Sequence, residues 1–449
     1  MRIAVLLAAA AAITYVSNLT LVVGADVQAH LATAASWILQ GNADLDEYVG
    51  RMPVRVQQIG AHAYSIYPPG TATLDVLPVL LALVAGIPIE SQVFVGLGGK
   101  LYAAGAVALS AAFVYLASAA ITRPVPALIA TVVYAFGTSL WSTSSQQLWE
   151  HAPSHLFVAL GTYLLVRTDK WGARAGLAYG IATVVRPTEA IVAAFGALVS
   201  WRRKALLRYM AWGLPALAFL ITYNLLVFGT IRQSYPDSDL AFSFPPPGWL
   251  GLLISPSRGL FVYSPVLVFA VIGFVMAWRA RSDRAASLVR DASLGVAGVY
   301  GVYASIGYWW GGWSYGDRYL SDVAPLFALA IAFAIDRGFL RSLAARVAFV
   351  AAFAWSFLIQ FAGAGWYYEY WNGYHWDTAR DIGATPEVVW DWTDNLWGFV
   401  LSHMVSEPGF HMIPSLLGVA GAAVLVWRAL AAARREQGGD HVATYRKQT

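Results

Sequence analysis

The sequence predicts an all-α polytopic membrane protein with about twelve transmembrane helices, and three observations predict it. The first is composition: 58% of the 449 residues are hydrophobic and only 12% are charged, where soluble domains carry about 25% charged residues. The second is spacing, because apolar runs of roughly 16–25 residues recur along the chain, the length needed to cross about 30 Å of hydrocarbon. The third is the placement of charge, which falls between those runs and sorts by side. Cysteine is absent, so disulfides and thiolate metal sites are excluded. No stretch resembles a separate soluble domain or a basic nucleic-acid module, so the expected partner is the lipid bilayer and not a nucleic acid.

The first span covers 3–23. Its start, Met1-Arg2-Ile3, has the look of a signal peptide, but the apolar stretch runs on to Val23 without a small-residue cleavage site, so it reads as retained. Further spans fall at 95–119, 124–139, 154–168, 174–185, 187–201, 206–228, 260–278, 291–309, 319–335, 345–362 and 411–430. The short pair 174–185 and 187–201 is expected to tilt around Arg186-Pro187. The stretch 71–86 is left out. It contains Asp75, follows Tyr67-Pro68-Pro69-Gly70 and is barely long enough to cross, so it is expected to lie on the membrane surface.

Charge supports that omission. With 71–86 on the surface, 21 of the 29 Lys+Arg fall on the side of the N-terminus, while the other side receives 8 of them and 19 of the 25 Asp+Glu. The basic clusters are Arg167/Lys170/Arg174, Arg202/Arg203/Lys204/Arg208, Arg279/Arg281/Arg284/Arg290, Arg337/Arg341/Arg346 and the tail. By the positive-inside rule both termini are cytoplasmic in a cell (inner or plasma) membrane. Residues 1–435 then form one transmembrane domain and 436–449 a cytoplasmic tail. Three long segments, 24–94, 229–259 and 363–410, lie outside, which places the active face there.

Asp26 stands out, in Gly24-Ala25-Asp26-Val27-Gln28-Ala29-His30, just past the first span. An ionisable residue at membrane depth is a functional candidate by default. Residues 27–40 alternate in helical fashion, with Val27, Leu31, Ala34, Trp37 and Ile38 on one face and Gly41 as a stop, the pattern of an amphipathic interfacial helix. The plain reading makes Asp26 its N-cap. The functional reading makes it a base, with His30 four residues on sharing its face.

The order of these features resembles the GT-C superfamily of polyprenyl-phosphate-sugar-dependent glycosyltransferases, closest to the protein O-mannosyltransferase and aminoarabinose-transferase type. The resemblance covers most of the chain. It rests on the acid directly after the first span, on Tyr67-Pro68-Pro69-Gly70 before a surface helix, and on Val185-Arg186-Pro187-Thr188 between two short spans. Ser255-Pro256-Ser257-Arg258-Gly259-Leu260 and the segment Trp309 to Tyr319, through Trp313, Asp317 and Arg318, also look like segments of bacterial members. The resemblance implies a GT-C-like fold, a polyprenyl-phosphate-linked sugar donor, inversion at the anomeric carbon, and Asp26 as catalytic base. Two departures are visible: Asp26-Val27 stands where relatives often carry an acidic pair, and Tyr67 stands where a basic residue often precedes the Pro-Pro step.

The chemistry asks for a base and for cations. A carboxylate that takes the acceptor hydroxyl's proton during attack supplies about 10²–10⁴-fold. The departing lipid phosphate is already a stable anion, which suits arginine forks. Arg186 and Arg258 are expected to bind donor phosphate first, then Arg318, with Arg232 a fourth outer arginine; headgroup snorkelling is the plain alternative. Asp317 beside Arg318 reads as its salt-bridge partner or as a sugar ligand. Glu150 and His151, in the short outer loop Gln146-Gln147-Leu148-Trp149-Glu150-His151, read as lining the acceptor side or assisting Asp26, and His30, Tyr67 and Trp313 are further acceptor-side candidates. The aromatic last loop, Trp366 to Trp397, reads equally as an acceptor platform or an interfacial belt.

Asp26, His30, Glu150 and His151 have metal-ligand chemistry. No paired H-x-x-x-H spacing is read as supporting a metal, however, and no metal or other cofactor is expected to be required. The acceptor is a glycan, a lipid or a protein. Two rival readings are a lipid-linked glycan ligase or polymerase and a twelve-span transporter or flippase; no internal repeat supports the second.

Overall fold

A computed structural model describes residues 1–167, 172–231, 241–280, 283–368 and 386–446. Lys170, Arg232, Arg281 and most of the expected aromatic platform, including Tyr370 and Trp371, lie outside them. The fold is helical: 73% of the chain is helix and the described residues form a single two-stranded sheet. The helices are α1 (Arg2–Ser17), α2 (Ala25–Leu39), α3 (Pro69–Val84), α4 (Gly99–Ala119), α5 (Pro124–Phe136), α6 (His151–Val166), α7 (Ala175–Val185) and α8 (Ala190–Arg202). They continue as α9 (Leu206–Phe228), α10 (Val268–Arg279), α11 (Arg284–Ser305), α12 (Ala324–Asp336), α13 (Leu343–Ala362), α14 (Leu396–Ser406) and α15 (Met412–Arg446).

Among the described residues, four helical stretches are long and apolar enough to cross a membrane: Phe94–Ala119, Leu206–Phe228, Leu343–Tyr367 and Met412–Gly438. Shorter apolar helices pack among them. Phe94–Ala119 is 67% buried inside the protein, whereas Leu206–Phe228 and Met412–Gly438 are 22% buried, so the first is a core helix and the others present apolar sides outward. Close helix crossings rest on glycine, the small-residue packing of membrane helices. A Cβ on Gly176 would stand 2.0 Å from the Tyr209 carbonyl oxygen of α9, and one on Gly273 would stand 2.1 Å from that of Ala330 in α12.

Several boundaries differ from expectation, and each has a local cause. α1 ends at Ser17 instead of continuing to 23. Beyond it the Asn18 amide donates to Gln146 Oε1 at 2.8 Å and to the Ala364 carbonyl at 2.6 Å, tying the chain to distant segments. The expected span 260–278 breaks at Pro265, with a single turn Leu260–Tyr263 before α10. α6 begins at His151, which takes this residue out of the expected loop. α7 and α8 break at Arg186, whose extended backbone (φ −139°, ψ 110°) follows from the proline after it.

The first outer segment contains more than helices. Val56–Ile59 (β1) and His62–Ser65 (β2) form an antiparallel hairpin with Val56 opposite Ser65, a feature the all-α expectation omits. Gly60 takes the turn at φ +63°, the region that favours glycine. Asp46 anchors it, accepting from the Ala63 amide at 2.7 Å and meeting His62 Nδ1 at 2.7 Å. α2 is not a surface helix, because residues 27–36 are buried around its whole circumference. α3 is the amphipathic one, with Thr71, Asp75 and Val79 inward and Leu77, Leu81 and Val84 outward.

Candidate functional site

Asp26 is not the cap of α2. Gly24 holds that place, and Asp26 sits in the first helical turn without a side-chain cap hydrogen bond. Its carboxylate instead accepts a short hydrogen bond from the Tyr67 hydroxyl, while the positive end of the helix dipole favours its charge. Asp26 makes no other hydrogen bond to the described residues. Tyr67 leads into Pro68-Pro69, and Pro69 opens α3, so the α3 start and the α2 start meet at this pair. Gly70 makes the approach of α3 to α7 possible, because a Cβ there would lie 2.4 Å from the Val185 backbone nitrogen. His30 packs against Tyr67 in a tilted arrangement, 5.1 Å between ring centroids. Burial pulls its pKa down to about 4 against the attraction of Asp26, so it is neutral at neutral pH and serves as packing.

Arg55, which precedes β1, completes this outer layer. It is exposed, and its guanidinium lies within electrostatic reach of Tyr67 and Asp26. Burial lowers the Arg55 pKa, but Tyr67, Asp26 and Tyr308 together outweigh it and hold the group above its ordinary value. Tyr67 thus stands between a cation and a carboxylate. Burial and the Asp26 charge push its own pKa well up, which keeps the hydroxyl protonated as a donor.

A second, buried layer backs the first. Arg318 Nε donates to His151 Nε2 at 2.9 Å, and Arg186 Nη1 to the same nitrogen at 3.1 Å. Both guanidiniums are obligatory donors, so Nε2 accepts and the imidazole proton sits on Nδ1, facing Asp322 Oδ1 at 2.9 Å. Arg186 also pairs with Asp322 at 3.1 Å and Glu150 at 3.4 Å, and donates to the Tyr303 hydroxyl at 2.7 Å. The Tyr303 ring stacks on Tyr319 at 4.2 Å. Arg318 is half-buried and lies 5.0 Å from the Trp149 ring centroid.

Glu150 joins the layers. Burial pushes its carboxyl up to about 7; Arg186 and Arg318 oppose this, and Asp26 and Asp322 add to it. Asp26, Glu150, Arg186, Arg318 and Asp322 therefore belong to one electrostatic unit.

Other expected residues fall elsewhere. Arg258 is 1% exposed and donates to the carbonyls of Trp310 at 3.0 Å, Ser257 at 2.8 Å and Gly312 at 2.9 Å. Its fork braces the 306–319 loop instead of facing a ligand, which corrects its first rank for phosphate. Asp317 is not the salt-bridge partner of Arg318 among the described residues. It is buried beside Ser139, and burial pushes its carboxyl well above the ordinary range. Trp313 is half-buried in the same loop and packs on the apolar core.

Sequence reasoning missed Arg55, Asp322, Tyr303 and His155. Two signals were there to be read: His151 and His155 form an H-x-x-x-H pair on α6, and Asp322 stands four residues after Arg318. His151, His155 and Asp322 do offer ligand atoms within 4.8 Å of one another. However, both nitrogens of His151 are engaged, and two guanidiniums point at it. That charge opposes a cation, so the set fits an arginine-bridged network better than a metal centre. Compared with known proteins, the chain matches no family model, no curated protein and no solved structure.

Proposed function

We propose that this chain is an integral-membrane glycosyltransferase of the GT-C type, with about twelve membrane-crossing segments and both termini cytoplasmic. It moves a sugar from a polyprenyl-phosphate donor to an extracytoplasmic acceptor with inversion. The observation that carries this reading is one half-buried carboxylate, Asp26, held by the Tyr67 hydroxyl and within electrostatic reach of guanidiniums from two distant segments, Arg55 and Arg318. A solvated helix-end acid would not gather them.

In the reaction Asp26 takes the proton of the acceptor hydroxyl as its oxygen bonds the anomeric carbon. The bond from that carbon to the phosphate oxygen breaks, and polyprenyl phosphate leaves with the electron pair. Tyr67 orients the base through its hydrogen bond. Arg318 and Arg55 receive the phosphate, since neither is fully buried. Arg186, 5% exposed and held by Asp322 and Glu150, positions His151 and through it Arg318. Glu150 and His151 thereby support the site from behind, not from the acceptor side.

The test is a panel of polyprenyl-phosphate sugars offered to the purified protein in proteoliposomes, with donor loss and free polyprenyl phosphate read by mass spectrometry. One donor should be consumed. Sugar movement across the bilayer with no phosphate–sugar bond broken would replace the enzyme with the transporter reading.

A further inference from the structure

The opposite end of the molecule carries a second candidate site. The segments that follow the C-terminal ends of α5 and α13 meet Asn18 through Gln146 and Ala364; at the N-terminal ends of these helices lies a cleft of about 680 Å³, within the roughly 300–1,000 Å³ range of small-molecule pockets. Arg123, Arg341, Arg346 and Arg434 line it over a floor that includes Ile335 and Leu340. Two of the cations are committed. Arg123 pairs with Asp336 at 2.7 Å, and Arg346 donates to the Leu340 and Arg341 carbonyls at 2.8 and 3.1 Å. The side chains of Arg341 and Arg434 make no hydrogen bond or ion pair with the described residues. After the Asp336 charge is counted, the lining keeps an excess of three positive charges.

The surroundings specify what would neutralise them. Arg123 immediately precedes α5, Arg341 lies two residues before α13, and Arg434 lies near the C-terminal end of the apolar stretch Met412–Gly438, so all three stand at the ends of apolar helices, where lipid headgroups would lie. From the cleft an apolar stripe runs up α13: Leu343, Val347 and Val350, at 75%, 59% and 63% exposure, spaced i, i+4, i+7 on one face. Trp427 on α15 is also outward, at 66%. A free anion would use the arginines and ignore the stripe. A lipid uses both, and basic pockets between membrane helices are known headgroup sites.

We propose that this cleft binds the phosphate headgroup of an anionic phospholipid, with an acyl chain along the α13 stripe. The site is independent of the transferase reading. To test it, the purified full-length protein is titrated with phosphatidylglycerol or phosphatidylcholine and bound lipid is counted by native mass spectrometry, with inorganic phosphate and glycerol phosphate as competitors. Wild type should hold phosphatidylglycerol at least tenfold more tightly than phosphatidylcholine. Arg341→Gln with Arg434→Gln should remove that preference, while Arg208→Gln, a surface arginine outside the cleft, keeps it. Equal retention by the double variant would overturn the site. Full displacement by millimolar inorganic phosphate would overturn the lipid and leave a free-anion site. Should the double variant fail to fold, photo-crosslinking of wild type with a diazirine phosphatidylglycerol decides: adducts on Leu343–Val350 are expected, and adducts confined to other helices count against the proposal.

Discussion

Asp26 owes its position to its neighbours more than to its own helix. The Tyr67 hydroxyl holds its carboxylate, and the Arg55 charge lies within reach of both. Tyr67→Phe should therefore lower kcat roughly tenfold through one lost hydrogen bond near the base, with donor affinity kept; Arg55→Gln should instead weaken donor affinity. If both variants changed only KM, Tyr67 would be a donor contact and not a support for the base. Glu150 gives a pH signature. Burial holds it at about 7 against an ordinary 4.5, so the folded protein keeps a proton that the unfolded chain releases across that interval. Stability linked to this group is full below the lower value and declines as pH rises to the upper one. Glu150→Gln should remove that decline, a difference on the order of 3 kcal/mol, read from melting curves at either end of the interval. Parallel wild-type and variant curves would contradict it. Asp26, Glu150, His151 and Arg186 were legible in the sequence because charge is scarce and costly among apolar residues. Arg258 misled for the opposite reason, since its three carbonyl partners lie in the fold and leave no trace in local sequence.

At the scale of elements, apolar runs located the helices well, and side chains that compete with the backbone shifted their ends. Asn18 ends α1, Pro187 separates α7 from α8, and Pro265 splits the approach to α10. The hairpin went unread although Val54-Arg55-Val56-Gln57 alternates and Gly60 follows, because a four-residue strand carries little periodic signal. That omission also hid Arg55. Packing makes a sharper prediction than periodicity. Gly273→Ala would drive a methyl into the Ala330 carbonyl, whereas Gly105 has open space around its Cβ direction. The first should cost about 1–3 kcal/mol by overpacking and the second almost nothing, as seen in detergent melting temperatures. Equal melting temperatures would mean that α10 and α12 are less closely apposed.

The whole molecule is a helical membrane protein in which, among the described residues, four helices have the length and apolarity of full spans; the topology of the shorter ones rests on charge. The natural absence of cysteine makes that testable without background. Single substitutions Glu47→Cys and Asp391→Cys should react with an impermeant maleimide added outside intact cells, and Lys204→Cys and Arg435→Cys only after lysis. Labelling of Lys204→Cys from outside would reverse the assignment of faces and require 71–86 to cross. The expected sidedness rests on the basic clusters that recur between the apolar runs. The two-layered arrangement of Asp26 before Glu150, Arg186 and Asp322 was not, because it joins residues up to 296 positions apart.

The central claim is that Asp26 removes the acceptor proton during sugar transfer. Its most direct test compares wild type and Asp26→Asn in the same proteoliposomes, measuring donor binding and polyprenyl phosphate release side by side. Binding should be retained, while release falls by about 10²-fold or more. Release at the wild-type rate by the asparagine variant would contradict the account.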